Sequence, residues 1–135
     1  MVTELETIMI GLQKRYNIVH EIGRLTDELL ETAEREDAIS AALVLDMRRE
    51  QMERHAACEE GIKQFIEKSQ TYQKEFYSLA FGPIERIPDT YRPGMEEKEL
   101  WMRKKIYEIR NRTQALIDSI RSRDERITRK VKQKK

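Results

Sequence analysis

The feature that most constrains this chain is a run of apolar residues spaced by alternating three- and four-residue steps. Between Thr3 and Glu36 the run comprises Leu5, Ile8, Leu12, Val19, Ile22, Leu29 and Ala33, with Arg15 and Thr26 filling the gaps and Tyr16 and Leu25 on its flanks. Such spacing returns to one face of an α-helix and, sustained over four heptads, to the seam of a coiled coil. Five glycines and three prolines in 135 residues are too few to punctuate a sandwich, a barrel or a Rossmann unit. Charged residues make up 38% of the chain and the mean hydropathy is -0.78, so the core is thin. The repeating apolar positions and a net charge of only +1 still argue against disorder. The class expected is all-α, an elongated antiparallel three-helix hairpin or coiled-coil bundle forming one helical domain over residues 1–135.

The first helix is expected over about 3–36, with Thr3 and Glu6 as a capping box. Its end is marked by no glycine or proline but by Glu34-Arg35-Glu36-Asp37. Carboxylates disfavour a helix C-terminus and favour an N-terminus, which makes Asp37 the N-cap of a second helix. The rival is one helix from Thr3 to Phe81, about 118 Å long at 1.5 Å per residue, too long for a monomer to cover its apolar stripe. The second helix is expected over about 38–81. Its ends are apolar (Ile39, Leu43, Val44 and Met47; Ile62, Phe65, Ile66, Tyr72, Phe76 and Leu79), while its middle, RREQMERHAACEE, is polar or small. That middle reads as a narrow waist in the core, favoured by the small residues and Gly61, or as a polar groove for a partner. A loop over 82–94 follows from Gly82-Pro83, Pro88 and Pro93-Gly94. Phe76, Tyr77, Phe81, Tyr91 and Trp101 are expected to form a hydrophobic lid beside it. The third helix, about 95–130, has an acidic first turn and a stripe of Met102, Ile106, Ile109, Thr113, Leu116, Ile120, Ile127 and Val131, interrupted at Arg123.

Charge is segregated along the chain. Residues 1–50 hold six basic and eleven acidic groups, residues 51–100 seven and ten, and residues 101–135 thirteen and four. The basic tail, 121–135, holds eight basic and two acidic groups. A basic third helix lying against two acidic ones accounts for this gradient; a tail that meets an acidic partner is the other reading. The tail has no interleaved aromatics, which argues against specific binding of single-stranded nucleic acid.

Catalytic signatures are missing: no GxxxxGK[ST], GxGxxG, GxSxG or HExxH occurs. His55, Cys58 and Glu59 share a helix face, but three such ligands hold zinc only with help from another helix. The residues thus point to no enzyme, no catalytic group, no metal and no cofactor. A single cysteine fits a reducing compartment. With no basic segment ahead of a long apolar run and no stretch of 18 apolar residues, the expectation is a cytoplasmic protein with no membrane span.

The stretch ELLETAEREDAISAALVLDMRREQMER (28–54), a helix ending in an acidic corner followed by one carrying an MRREQM run, together with RTQALIDSIRSRDERITRKV (112–131), resembles flagellar export chaperones of the FlgN/FliT type. The size and the three-helix layout are similar too. The resemblance implies a cytoplasmic chaperone that masks an amphipathic helix of a flagellar subunit, either a hook–filament junction protein or the filament cap, before type III export. By that analogy the client surface is Ile109, Leu116, Ile120, Ile127 and Val131 of the third helix, with Met47 and Met52 as adaptable contacts. A coiled-coil module that self-associates as a homodimer is the second reading, and a binder of nucleic acid or anionic surfaces the third and least favoured.

Overall fold

A computed structural model describes residues 1–133, and the chain they form is all-helical. Four α-helices, α1 (Val2–Glu34), α2 (Ala38–Glu67), α3 (Gln73–Phe81) and α4 (Glu97–Gln133), are joined by two short bends and by a longer connection with two 3₁₀ turns, Ile84–Arg86 and Pro88–Thr90. The first helix packs extensively against both α2 and α4, while α2 and α4 meet each other little. Contacts between Gly11 and Cys58, and between Arg15 and His55, show α2 running back along α1. Arg123 on Gly23 and Lys130 on Glu34 show α4 lying beside α1 in the same direction.

The bend between α1 and α2 falls where the acidic cluster predicted it. Glu36 adopts the left-handed conformation with φ 56°. Asp37 caps α2, its carboxylate accepting from the Ser40 amide at 3.0 Å. Two local expectations fail. The Thr3–Glu6 capping box does not form, because α1 already starts at Val2 and the Leu5 amide donates to the Met1 carbonyl. The expected helix over 38–81 is also broken, between Glu67 and Gln73. There the Ser69 hydroxyl takes the Tyr72 amide at 3.2 Å, a side chain competing with the helical ladder in a Lys-Ser-Gln-Thr run that has few apolar groups to anchor it.

The core is concentrated at one end. Leu5, Ile8 and Leu12 of α1 meet Ile62 and Ile66 of α2, Phe76, Leu79 and Ala80 of α3, Ile87 of the connection, and Met102, Ile106 and Ile109 of α4. Further along α1, Val19 and Ile22 pack with Ile120, and Leu25 and Leu29 with Val44. Seam positions that carry polar residues are reconciled locally. Thr26 and Thr113 are buried and return their hydroxyl protons to the carbonyls of Ile22 and Ile109.

Part of the charge gradient is answered within the molecule. Basic α4 residues pair with acidic α1 residues, Arg123 with Asp27 and Lys130 with Glu34. Helical structure continues through the basic tail to Gln133; Lys134 and Lys135 lie outside the described residues.

Candidate functional site

The expected client stripe on α4 is largely occupied by the fold itself. Ile109 and Ile120 are buried. Leu116 packs beside Val19 and Ile22, and Ile127 beside Leu25, Leu29 and Val44. Of the five residues only Val131 stands exposed. The seam period that made α4 look like a docking face is the period by which it docks on α1.

Unpartnered apolar surface lies instead on the first half of α2. Ile39 is 88% exposed, Leu43 63%, and Leu45, Met47 and Met52 about half that of Ile39. Ile39, Leu43 and Met47 follow one another at four-residue steps along the outer face of the helix, whereas Leu45 and Met52 lie seven apart on another flank. Val44, Arg48 and His55, between these flanks, turn inward. Leu45 also lines a groove of about 620 Å³ at the α1–α2 bend. Leu29 of α1 is part of its wall, with Ala41 and Leu45 from α2 and Ile127 and Val131 from α4; Asp37 and Lys130 bring charge to it. The groove exists because α2 and α4 stay apart while both rest on α1, and because α2 contributes alanines there. Toward the other end the two helices are tied by an ion pair, Arg48 to Asp124 at 2.7 Å.

The polar waist of α2 is a second distinct region. Gly11 lets the helices close: a Cβ there would lie 2.9 Å from Ile62, and the Cys58 thiol donates to the Gly11 carbonyl at 3.6 Å. Gly61, by contrast, faces open space. Together with Ala57 it leaves a shallow groove of about 650 Å³ between α1 and α2. Burial pushes the Cys58 thiol up from its ordinary range, so it is held protonated rather than activated. His55 sits beside it, Nε2 accepting from Arg15 Nε at 3.4 Å and Nδ1 lying 3.2 Å from Glu59. Arg110 of α4 donates to the Leu79 carbonyl at 3.1 Å, and burial, with Arg15 nearby, lowers its pKa to about 10. Among the described residues, no three His, Cys, Asp or Glu side chains converge as a metal site would require.

The aromatic lid is only partly realised. Phe76, Phe81 and Tyr91 join the main core, whereas Tyr77 and Trp101 are half exposed, Trp101 with Lys105 over its ring. No helix among the described residues is long and apolar enough to cross a membrane. No protein-family model, no curated protein and no solved structure matches the chain.

Proposed function

We propose that this chain is a cytoplasmic, non-catalytic export chaperone of three-helix hairpin design that holds an amphipathic helix of a flagellar subunit. The observation that carries the reading is the cluster of exposed large apolar residues on the first half of α2, joined through Leu45 to the groove at the bend. Unsatisfied apolar surface of this kind marks a protein-binding face. A helix laid in the groove would bury Leu45, Val131 and its own apolar stripe together, the helix-in-groove mode of recognition. Arg121, Arg126, Arg129 and Lys132 on exposed positions of α4 favour a client with acidic residues on the flank nearest that helix. The choice of a flagellar client rests on the resemblance of residues 28–54 and 112–131 to FlgN/FliT-type chaperones.

The test is light scattering coupled to size exclusion, with purified hook–filament junction and filament-cap proteins added in turn. A stoichiometric complex with one of them is expected. Leu45→Asp and Val131→Asp are each expected to weaken it by about ten- to a hundredfold, the equivalent of about 1.5–3 kcal/mol for a buried aliphatic side chain. Indifference to every flagellar subunit overturns the client assignment, and unchanged binding by both variants overturns the surface. The outward row of Ile39, Leu43 and Met47 supports one second reading, self-association through α2. A tight homodimer abolished by Leu43→Asp would establish it in place of the first.

A further inference from the structure

His55 is placed where only one of its protonation states fits. The guanidinium Nε of Arg15 can only donate, so the imidazole Nε2 that faces it at 3.4 Å must offer a lone pair. The ring proton is then on Nδ1, 3.2 Å from the Glu59 carboxylate, which accepts it. Arg15 comes from α1, His55 and Glu59 from α2, and Arg110 of α4 adds a second guanidinium near Arg15. Arg15 occupies a seam position of α1 between the buried Leu12 and Val19 of the adjoining layers. A proton arriving on Nε2 would set donor against donor and place a third positive charge in this layer, with Glu59 the acceptor that remains.

We propose that His55 is an acid-operated latch between α1 and α2, closed when the imidazole is neutral and released when it gains a proton. The surrounding contacts make release local. The waist of α2 between Val44 and Ile62 has no fully buried apolar anchor, and it is held to its neighbours by the Arg15–His55 contact, the Cys58–Gly11 contact and the Arg48–Asp124 ion pair. Protonation removes the first and leaves the main cluster at one end and the smaller one at the bend in place. Burial, the largest influence, and the Arg15 charge hold the imidazole below its ordinary 6.5, with Glu59 opposing them. The sign follows. A histidine that resists protonation when folded and titrates normally when unfolded contributes full stability above pH 6.5 and loses it as pH falls below that value. The α2 wall of the groove at the bend belongs to the cluster of Leu25, Leu29 and Val44 and stays in place, so the latch does not rest on the reading of the groove given above.

The test uses the full chain without any client. Amide hydrogen exchange across residues 45–60, corrected for intrinsic rates, is compared between pH 7.5 and pH 5.5. The opening equilibrium of this segment is expected to rise about fivefold, the size of one net hydrogen bond. His55→Gln, which keeps an acceptor and a donor but cannot take a proton, is expected to abolish the rise, and His20→Gln, on an exposed position, to leave it intact. Should His55→Gln fail to fold, an NMR titration of the wild-type imidazole decides: His55 is expected as the Nδ1–H tautomer, titrating below the ordinary 6.5. A segment whose opening is indifferent to pH, a rise that persists in His55→Gln, or a His55 that titrates at or above 6.5 overturns the latch. Failure of client binding in the preceding experiment leaves all three readouts unaffected.

Discussion

Arg103 is a sharp test of how this thin-cored chain is held at its closed end. Its side chain is 2% exposed, and its Nη2 reaches Glu75 of α3 at 2.7 Å and Glu99 of its own helix at 3.0 Å. Nη2 also lies 3.2 Å from the Met1 sulfur, so α3, α4 and the start of α1 converge on one guanidinium. Arg103→Met keeps most of the aliphatic stem and removes the charge. It strands two carboxylates side by side, 28% and 17% exposed. Removing one member of a buried ionic group costs about 3–5 kcal/mol. Both carboxylates keep some water and can turn outward, which places this case near the low end, about 3 kcal/mol, against a total stability of about 5–15 kcal/mol. Urea unfolding followed by circular dichroism, with the slope unchanged, measures it. The double variant Arg103→Met, Glu75→Met is expected to recover part of the loss, because replacing both partners leaves less charge unpaired. A single variant within about 1 kcal/mol of wild type would refute the reasoning and make the ionic group incidental to folding.

The remaining expectations concern the backbone. Gly61→Ala is expected to stabilise by about 0.5–1 kcal/mol, since a Cβ there meets nothing and the helix gains propensity; thermal unfolding that shows a loss would contradict it. Gly82→Ala is expected to destabilise, because its Cβ would come 2.6 Å from the Ser78 carbonyl oxygen, and a neutral result in the same assay would mean the turn relaxes freely. Asp37→Ala is expected to cost about 1 kcal/mol through loss of the Ser40 cap. Hydrogen bonding to Ser40 also holds the Asp37 carboxyl below its ordinary range. Its contribution is therefore present above its ordinary 3.8 and lost as pH falls through the lower, folded value, so the variant should show a weaker acid dependence of stability in that window.

Much of the fold could be read from periodicity and end signals. The apolar stripes of α1 and α4, the proline-containing connection and the acidic bend at Glu36-Asp37 all rest on physical features that act over a few residues. The break at Lys68–Tyr72 was hidden because no glycine or proline announces it; its cause is a serine hydroxyl diverting one amide, visible only as a run of polar residues within an otherwise continuous helix. The capping box expected at Thr3 and Glu6 fails on a local detail. A Thr-x-x-Glu pattern is compatible with a capping box, but Val2 is already helical and Met1 stands at the N-cap, so Thr3 lies inside the first turn and not at the capping position.

The exposed apolar surface was harder to read, because periodicity reports that a face is apolar and not what covers it. Ile109, Ile120 and Ile127 on α4 and Ile39 and Leu43 on α2 carry equally strong signals, yet the first three are taken up by α1 and the last two are left in solvent. The difference arises from supply. The helix α1 can pack against two neighbours, and its stripe is spent on α4 along most of its length, while α2 is held by clusters at either end and polar contacts between them. A helix attached in that way cannot turn all its apolar residues inward. Those of its first half that miss the core spread over two flanks and become surface. The excess of apolar residues over available core is concentrated next to the bend, and the proposed client site rests on that surface of α2 and the groove instead of on the third helical stripe.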